Sequence, residues 1–188
     1  MKLDEDSNSA ITEIGNLCIA GGSNRISTFS DTLVDISVVE AKIRETLELV
    51  IEIDPYDDCK RLIGQKVKGD FTGEFLVSIS NQVIETIITK FNNIEHLGEF
   101  ENSTDAIDKL MSEFILGCVD GIAGMTGLDL QADGGVTLCE ELDLETLPKQ
   151  VLSYQSIIFI GDDRLDFNVY FFADPVTVVP KILEALGM

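Results

Sequence analysis

The segment Gly69-Asp-Phe-Thr-Gly-Glu-Phe-Leu-Val-Ser-Ile79 combines turn residues with a run of alternating apolar side chains. Glycine and aspartate favour the turn, and the alternation is typical of a strand with one buried face. The segment therefore predicts the second arm of a β-hairpin. Beyond it the apolar residues change to helical spacing, at Val83, Ile84, Ile87, Ile88 and Phe91.

The same design occurs again near the C-terminus. Gly161-Asp-Asp-Arg-Leu-Asp-Phe-Asn-Val-Tyr-Phe-Phe172 predicts a second hairpin arm, and a helical stretch follows it. Asp174-Pro175 offers a cap-like start for that helix, but Pro180 is predicted to mark its first turn, because proline is tolerated there. The apolar positions of this helix are Ile182, Leu183 and Leu186.

A long helical pattern precedes each of the two hairpins, from Ser9 to Ser30 and from Thr104 to Met125. Each pattern leads into strand-like segments, which are Leu33 to Ile43, Leu47 to Ile53, Leu128 to Leu142 and Tyr154 to Ile160. The order helix, strands, helix is therefore present twice, which indicates an internal duplication longer than a solenoid repeat.

This order predicts an α/β (α+β) fold in a single domain covering 1–188. Two halves of about 1–92 and 103–188 would be related by a pseudo-two-fold axis, with a hinge near Asn92 to Asn102. A mixed β-sheet flanked by the two long helices is expected, with one face covered and one partly wet.

Charge is the unusual feature of the composition. Asp and Glu number 34 against 13 Lys and Arg, which gives a formal net charge of -21. Such a chain repels phosphate backbones and anionic lipids, so we expect no nucleic-acid partner and no membrane partner. The excess of carboxylates either keeps the surface solvated or steers the chain toward a basic partner, and the composition leaves both open.

The targeting and ligand signals of the sequence are weak. The first residues are polar and acidic, unlike a signal peptide, and no apolar run approaches the roughly 18 residues of a membrane helix. A cytoplasmic protein is therefore expected. The single histidine, His96, predicts a surface residue rather than a metal ligand. The cysteines are Cys18, Cys59, Cys118 and Cys139, whose spacing fits free thiols and no zinc site.

The first long helix separates an apolar face from a polar one at 100° per residue. The apolar stripe contains Ile11, Ile14, Leu17 and Cys18. Ser9, Glu13 and Asn16 fall together on a different face, and the small Ala20 lies one turn beyond. Spacing alone favours a plain solvated surface here, because Glu-x-x-Asn is a weak pattern.

The residues around this pair add a resemblance. Ile11-Thr-Glu-Ile-Gly-Asn-Leu17 resembles the signature of the CheC/CheX/FliY family of chemotaxis phosphatases, which is Asp or Ser, three residues, Glu, two residues and Asn. Ser9, Glu13 and Asn16 match it. Val39 stands where the family has a proline. The chain's ending, Phe171-Phe-Ala-Asp-Pro175 and Ile182-Leu-Glu-Ala-Leu-Gly187, also looks like that of the family, and the CheC arrangement is the nearest.

The resemblance implies a phosphatase that acts on a phosphorylated CheY-like receiver domain. It assigns Asn16 to orienting the attacking water, as a glutamine does in GTPases, and Glu13 to pairing with a receiver lysine. Ser9 would support the site. The chain itself would bind no cofactor and no metal, because Mg²⁺ belongs to the receiver domain. A second expected partner is a CheD-like deamidase, for which the helix from Pro180 to Leu186 would offer an apolar surface.

Two other readings stay open. The chain could be a non-catalytic interaction module of the same fold, which binds a receiver domain or a CheD-like deamidase. It could also be an acidic scaffold unrelated to chemotaxis, and burial of Glu13 and Asn16 would favour that reading.

The duplication predicts a second site on the second long helix, and that site is degenerate. Matching the helix phase places Glu113 and Leu116 at the positions of Glu and Asn, and we favour this register. Counting back from the end of the helix gives Lys109 and Ser112 instead. Neither register restores Glu-x-x-Asn. The glycines of Cys18-Ile-Ala-Gly-Gly-Ser23 and Gly121-Ile-Ala-Gly124 indicate close packing between the two long helices.

Overall fold

The computed structural model describes residues 2–30, 33–36, 39–54, 59–91, 103–138, 148–160 and 166–188. These ranges contain, in chain order, α1 (Glu5–Ser30), β1 (Val34–Ile36), β2 (Glu40–Glu45), α2 (Thr46–Ile53), β3 (Lys60–Gly69), β4 (Gly73–Ser80), α3 (Asn81–Phe91), α4 (Ser103–Thr126), β5 (Leu130–Leu138), β6 (Gln150–Ile160), β7 (Asp166–Ala173) and α5 (Pro175–Ala185). The predicted α+β class is confirmed. The predicted hinge, His96 and Cys139 lie outside the described residues.

The strands form one sheet in the order β1-β6-β7-β4-β3-β5, and β2 also pairs with β6. Every described pairing is antiparallel. The central pair joins the two halves, with Val77 of β4 opposite Val169 of β7. Exchanging the halves swaps β4 with β7, β3 with β6, and β5 with β1 and β2, and leaves the order unchanged. This order supports the proposal of a single domain built from two equivalent halves.

The two faces of the sheet have separate cores, because successive side chains of a strand point to opposite sides. Phe75 and Val77 belong to the larger core, which receives α1, α3, α4 and α5. Leu76, between them, belongs to a smaller core on the opposite face, together with Leu49 and Ile53 of α2. Among the described helices, α2 is therefore the one on the far face.

The two long helices lie side by side and antiparallel, because Gly21 meets Gly117 and Leu17 meets Gly121. A β-carbon added to Gly21 would overlap the backbone carbonyl oxygen of Gly117, and one added to Gly121 would lie 2.5 Å from the carbonyl oxygen of Leu17. The predicted role of these glycines in helix packing is confirmed. Gly124 has no such role, since nothing lies within 4 Å of its added β-carbon.

One predicted strand is a helix. The segment Leu47 to Ile53 lies in α2, which begins at Thr46. Its apolar residues fit both periods: Leu47, Leu49 and Ile51 alternate, whereas the buried side chains follow helical spacing. A pattern compatible with both periods is decided by packing against the rest of the chain. The buried positions are Thr46, Leu49, Val50 and Ile53.

The start of the C-terminal helix also differs from the expectation. Helix α5 begins at Pro175, and the Asp174 carboxylate accepts a hydrogen bond from the backbone N–H of Val176 at 3.0 Å. The predicted first turn at Pro180 is wrong, because that proline lies inside the helix. An aspartate cap followed by proline satisfies the free N–H groups of a helix start, so it outweighs an isolated proline further on.

Candidate functional site

The candidate pair stands on the outer side of α1. Ser9 and Glu13 are exposed, and Asn16 is half-buried. The Asn16 side-chain amide Nδ2 donates to Oε2 of Glu13 at 3.5 Å. Since this amide points toward the carboxylate, Glu13 and Asn16 form one polar spot one helical turn apart.

The opposite side of α1 holds the helix in the core. Ile11 and Ile14 are each 1% exposed. Leu17 is half-buried rather than fully buried as expected. The buried stripe is therefore narrower than the sequence predicted, while the polar face is where it was expected.

Gly15, between Glu13 and Asn16, seats the site on the sheet. A β-carbon here would lie 2.7 Å from Cδ1 of Tyr154 on β6 and 3.1 Å from Cγ1 of Val39. The Tyr154 ring cannot retreat easily, because it is fully buried and stacks on Phe171 with the ring centroids 5.8 Å apart. Only glycine lets α1 approach this closely, so the height of the polar pair above the sheet is determined here.

Val39 and Tyr154 belong to the support of the site and not to its chemistry. Val39, which replaces the proline of the family pattern, is buried immediately before β2 and contacts the site through Gly15. Burial raises the pKa of Tyr154, so its ring stays neutral beneath the helix. A glycine in a helix interior costs about 1 kcal/mol of stability relative to alanine. Gly15 is therefore the sequence signal that could have pointed to a close contact here.

The chemistry available at the pair is polar and non-nucleophilic. An amide offers two donor hydrogens and an acceptor oxygen, so it can hold a water molecule in a chosen direction without taking its proton. An exposed carboxylate one turn away can bind a cation from another molecule. A helix held by a packed core presents both groups with little freedom, which favours orientation of a reactant.

Glu113 on α4 is engaged within the chain. Its Oε2 accepts from Nε of Arg25 at 2.7 Å, and its Oε1 accepts from Nζ of Lys109 at 2.8 Å. Arg25 reaches Asp120 as well, at 2.8 Å. The Glu113 side chain is only 15% exposed. Burial raises the pKa of this carboxyl, but the bonds from Lys109 and Arg25 outweigh burial and hold the pKa below its ordinary value. Glu113 thus ties α4 to α1.

Helix ends and strand starts align the two halves. Ser30 and Thr126, the last residues of the long helices, are 96 positions apart. Val34 and Leu130, the first residues of the strands that follow, are also 96 positions apart. An offset of 96 therefore superposes both the helices and their exits into the sheet.

Under this offset Lys109 takes the place of Glu13, and Ser112 takes the place of Asn16. Exposure agrees, because Lys109 is exposed as Glu13 is, and Ser112 is half-buried as Asn16 is. The geometry thus favours the register with Lys109 and Ser112 over the one with Glu113 and Leu116. Glu113 is half-buried, whereas Glu13 is exposed. Helix phase separates the two registers poorly, since a shift of four residues rotates a helix by only about 40° beyond a full turn.

The described residues contain no arrangement typical of a metal site or of a membrane span. Across the part of the chain that the structure describes, no group of His, Cys, Asp and Glu side chains is placed to hold a metal ion. Cys18 and Cys118 are buried free thiols on the two long helices, and Cys59 is an exposed cysteine. No described helix is long and apolar enough to cross a membrane.

No protein-family model and no curated protein sequence matches the chain. Solved structures do. FliY from Thermotoga maritima superposes with a TM-score of 0.70 at 14% identity, over 100% of this chain and 98% of that one. The FliM middle domain from H. pylori gives 0.68 at 10% identity, over 97% and 99%. CheX from Desulfovibrio desulfuricans gives 0.57 at 11%, over 86% and 99%.

The chain has the CheC/CheX/FliY fold. The likeness to FliY extends over the full chain, so both long helices and the whole sheet belong to the shared architecture. At identities of 10–14% the likeness describes the fold and assigns no activity.

Proposed function

We propose that this chain binds a phosphorylated CheY-like receiver domain and accelerates hydrolysis of its aspartyl phosphate. The observation that carries the proposal is the pairing of Glu13 with Asn16 on the outer face of α1, in a chain with the CheC/CheX/FliY fold. Neither residue is buried, whereas burial of both would have favoured an acidic scaffold unrelated to chemotaxis. The proposal places the chain in the cytoplasm, in chemotaxis or a related two-component pathway.

In the proposed reaction a water oxygen attacks the phosphorus in line with the bond to the aspartyl oxygen. That bond breaks, its electron pair stays on the receiver carboxylate, and both protons of the water leave with inorganic phosphate. Asn16 holds the water in direction and takes no proton. Glu13 pairs with a receiver lysine and sets the register, with Ser9 beside it. The receiver supplies its own Mg²⁺, so this chain needs no cofactor.

Asn16 contributes to the rate mainly through orientation. Fixing one reactant relative to another removes part of the entropic cost of reaching the transition state. The amide binds the water most productively at that moment, so it should affect the rate more than the binding of the receiver. Glu13 acts on the ground-state complex and should affect binding instead.

A second candidate function is a non-catalytic module that binds a receiver domain or a CheD-like deamidase. The observation that favours it concerns α5, where Leu183 and Leu186 are only half-buried and Val176 is exposed. Ile182 is fully buried, so one of the three residues expected on the apolar surface belongs to the core. The remaining surface is small but present.

Phosphate release from a panel of acetyl-phosphate-charged receiver domains, with and without this chain, tests the proposal. We expect faster release from at least one receiver, and weaker binding of that receiver by Glu13→Lys, because the substitution replaces attraction of its lysine with repulsion. Binding of receivers without faster release by the wild-type chain would favour the non-catalytic module instead.

A further inference from the structure

Helix α2 gives the far face of the sheet a surface of its own. Leu49 and Ile53 anchor the helix, and they pack with Leu76 and Tyr170 in the smaller core. The site on α1 lies on the other side of the sheet, with the larger core between them. Anything that binds α2 can therefore do so while α1 remains accessible.

The outward side of α2 is partly apolar. Leu47 is 63% exposed and Ile51 is 78% exposed, and they lie one turn apart. Single exposed apolar residues are ordinary, but two at this spacing form a continuous stripe along a helix. Neither is among the side chains that anchor α2 in the described part of the chain, which are Thr46, Leu49, Val50 and Ile53.

Carboxylates run beside the apolar stripe. Glu48 and Glu52 follow Leu47 and Ile51 on the helix surface, and both are exposed. Glu52 is paired with Arg44 at 2.6 Å and accepts from Gln155 at 3.0 Å. Glu48 lies close enough to Arg44 to help raise its pKa, but within the described ranges Arg44 forms its ion pair with Glu52, so Glu48 can accept a further cation.

The charge of the chain limits what can cover this surface. A second copy would bring a net charge of -21 and the same carboxylates against it, so self-association is opposed. Anionic lipid and nucleic acid are opposed for the same reason. A protein segment with apolar side chains flanked by Lys or Arg satisfies both stripes, because it covers the apolar residues and neutralises Glu48.

We propose that Leu47, Ile51 and Glu48 of α2 form a docking surface for a basic amphipathic segment of a partner protein. Apolar burial supplies the affinity, and the carboxylates select the partner and its orientation. The surface is independent of the proposed phosphatase activity. A chain with one site on α1 and another on α2 joins a receiver domain to a second protein across the sheet.

A synthetic helical peptide of about 14 residues, roughly four turns with leucine on one side and lysine on the flanks, is the probe. Its affinity for the full chain is measured by fluorescence anisotropy. We expect Leu47→Ser/Ile51→Ser to weaken binding about tenfold, which is about 1.4 kcal/mol. The matched control is Val176→Ser, which removes another exposed apolar residue, 68% exposed, from α5. It should bind as wild type does.

Three results overturn the proposal. The double variant could bind the peptide as tightly as wild type, or a peptide with glutamate in place of lysine could bind equally well. Sedimentation could instead show a wild-type dimer that the double variant loses, which would make a second copy the occupant. Circular dichroism establishes that the variants fold. The surface is supported if the folded double variant binds the peptide more weakly than wild type, and if wild type binds the lysine peptide more tightly than the glutamate peptide.

Discussion

Helices α1 and α4 occupy corresponding positions in the two halves of the sheet order. Their buried side chains are alike, whereas their exposed side chains differ. Their buried sides match: at the offset of 96, Ile11 corresponds to Ile107, Ile14 to Leu110, and Gly21 to Gly117, and all six are buried or pressed against the facing helix. Their outer sides do not match, because at the same offset Glu13 and Asn16 on α1 correspond to Lys109 and Ser112 on α4.

The difference shows which positions packing controls. The residue at a buried position is constrained by the volume available and by close contacts, so both helices have apolar residues and glycine there. The residue at an exposed position is constrained mainly by any partner that binds there. The reversal of charge from Glu13 to Lys109 removes the group that would attract a receiver lysine, and Ser112 is too short to reproduce the reach of Asn16. Under the proposed function, the chain therefore carries one complete site.

The largest effect should come from breaking the shared side. Gly21→Ala forces the backbones of α1 and α4 apart, since its β-carbon would overlap the carbonyl of Gly117. We expect the free energy of unfolding to fall by about 3 kcal/mol, the upper range for overpacking. Urea denaturation followed by circular dichroism measures it.

Gly124→Ala is the matched control for this substitution. It lies in the same helix pair with open space around it, so alanine should raise stability by about 0.5–1 kcal/mol. If both alanines changed stability alike, helix propensity rather than backbone contact would explain the glycines.

A smaller effect should come from the ion pairs that join the helices. Glu113→Gln removes the charge that Arg25 and Lys109 bind, and we expect a loss of about 1 kcal/mol at neutral pH. The pKa of Glu113 is lowered in the folded chain, so its stabilisation is present above the ordinary value of 4.5 and is lost as the pH falls through the folded value.

Thermal unfolding of wild type and Glu113→Gln across this range checks the sign. The two curves should converge as the pH falls through the lowered pKa of the folded chain, because below it the carboxyl is protonated in both states. A difference that persisted unchanged at low pH would mean that Glu113 stabilises the chain by packing rather than by charge.

The smallest effect concerns the alignment of the helices. In a chain carrying Asn16→Ala, the substitutions Lys109→Glu and Ser112→Asn should raise phosphate release about threefold above that of Asn16→Ala alone, since a less well oriented pair recovers only part of the lost rate. Leu116→Asn in the same background should restore none. Recovery with Leu116→Asn alone would reinstate the register that places Glu113 opposite Glu13.

Sequence reasoning reached the architecture because local signals and packing agreed. The hairpin at Gly69–Ile79, both long helices and their glycines were readable from periodicity and turn chemistry. It failed at α2, where Leu47 to Ile53 fits both periods, and at Pro180, where the stronger cap, Asp174, lay six residues earlier. Each failure occurred where one pattern permits two structures.

The candidate site was readable only in part. Ser9, Glu13 and Asn16 could be named from spacing and resemblance, but their support could not, because Tyr154 and Val39 are distant in sequence from Gly15. The alignment of α4 was equally hidden, since helix phase does not separate registers four residues apart. Long-range contact is the information that a periodic pattern lacks.

The central claim is that Asn16 orients the attacking water, and paired measurements on one receiver domain test it. Asn16→Ala should lower the rate of phosphate release roughly 100-fold, as loss of a single oriented polar group does at other active sites. Its affinity for the beryllofluoride-activated receiver should stay within about threefold of wild type. Asn24→Ala, on an exposed part of the same helix, should retain full activity. Full activity in Asn16→Ala, or a fall in rate matched by an equal fall in affinity, would contradict the account.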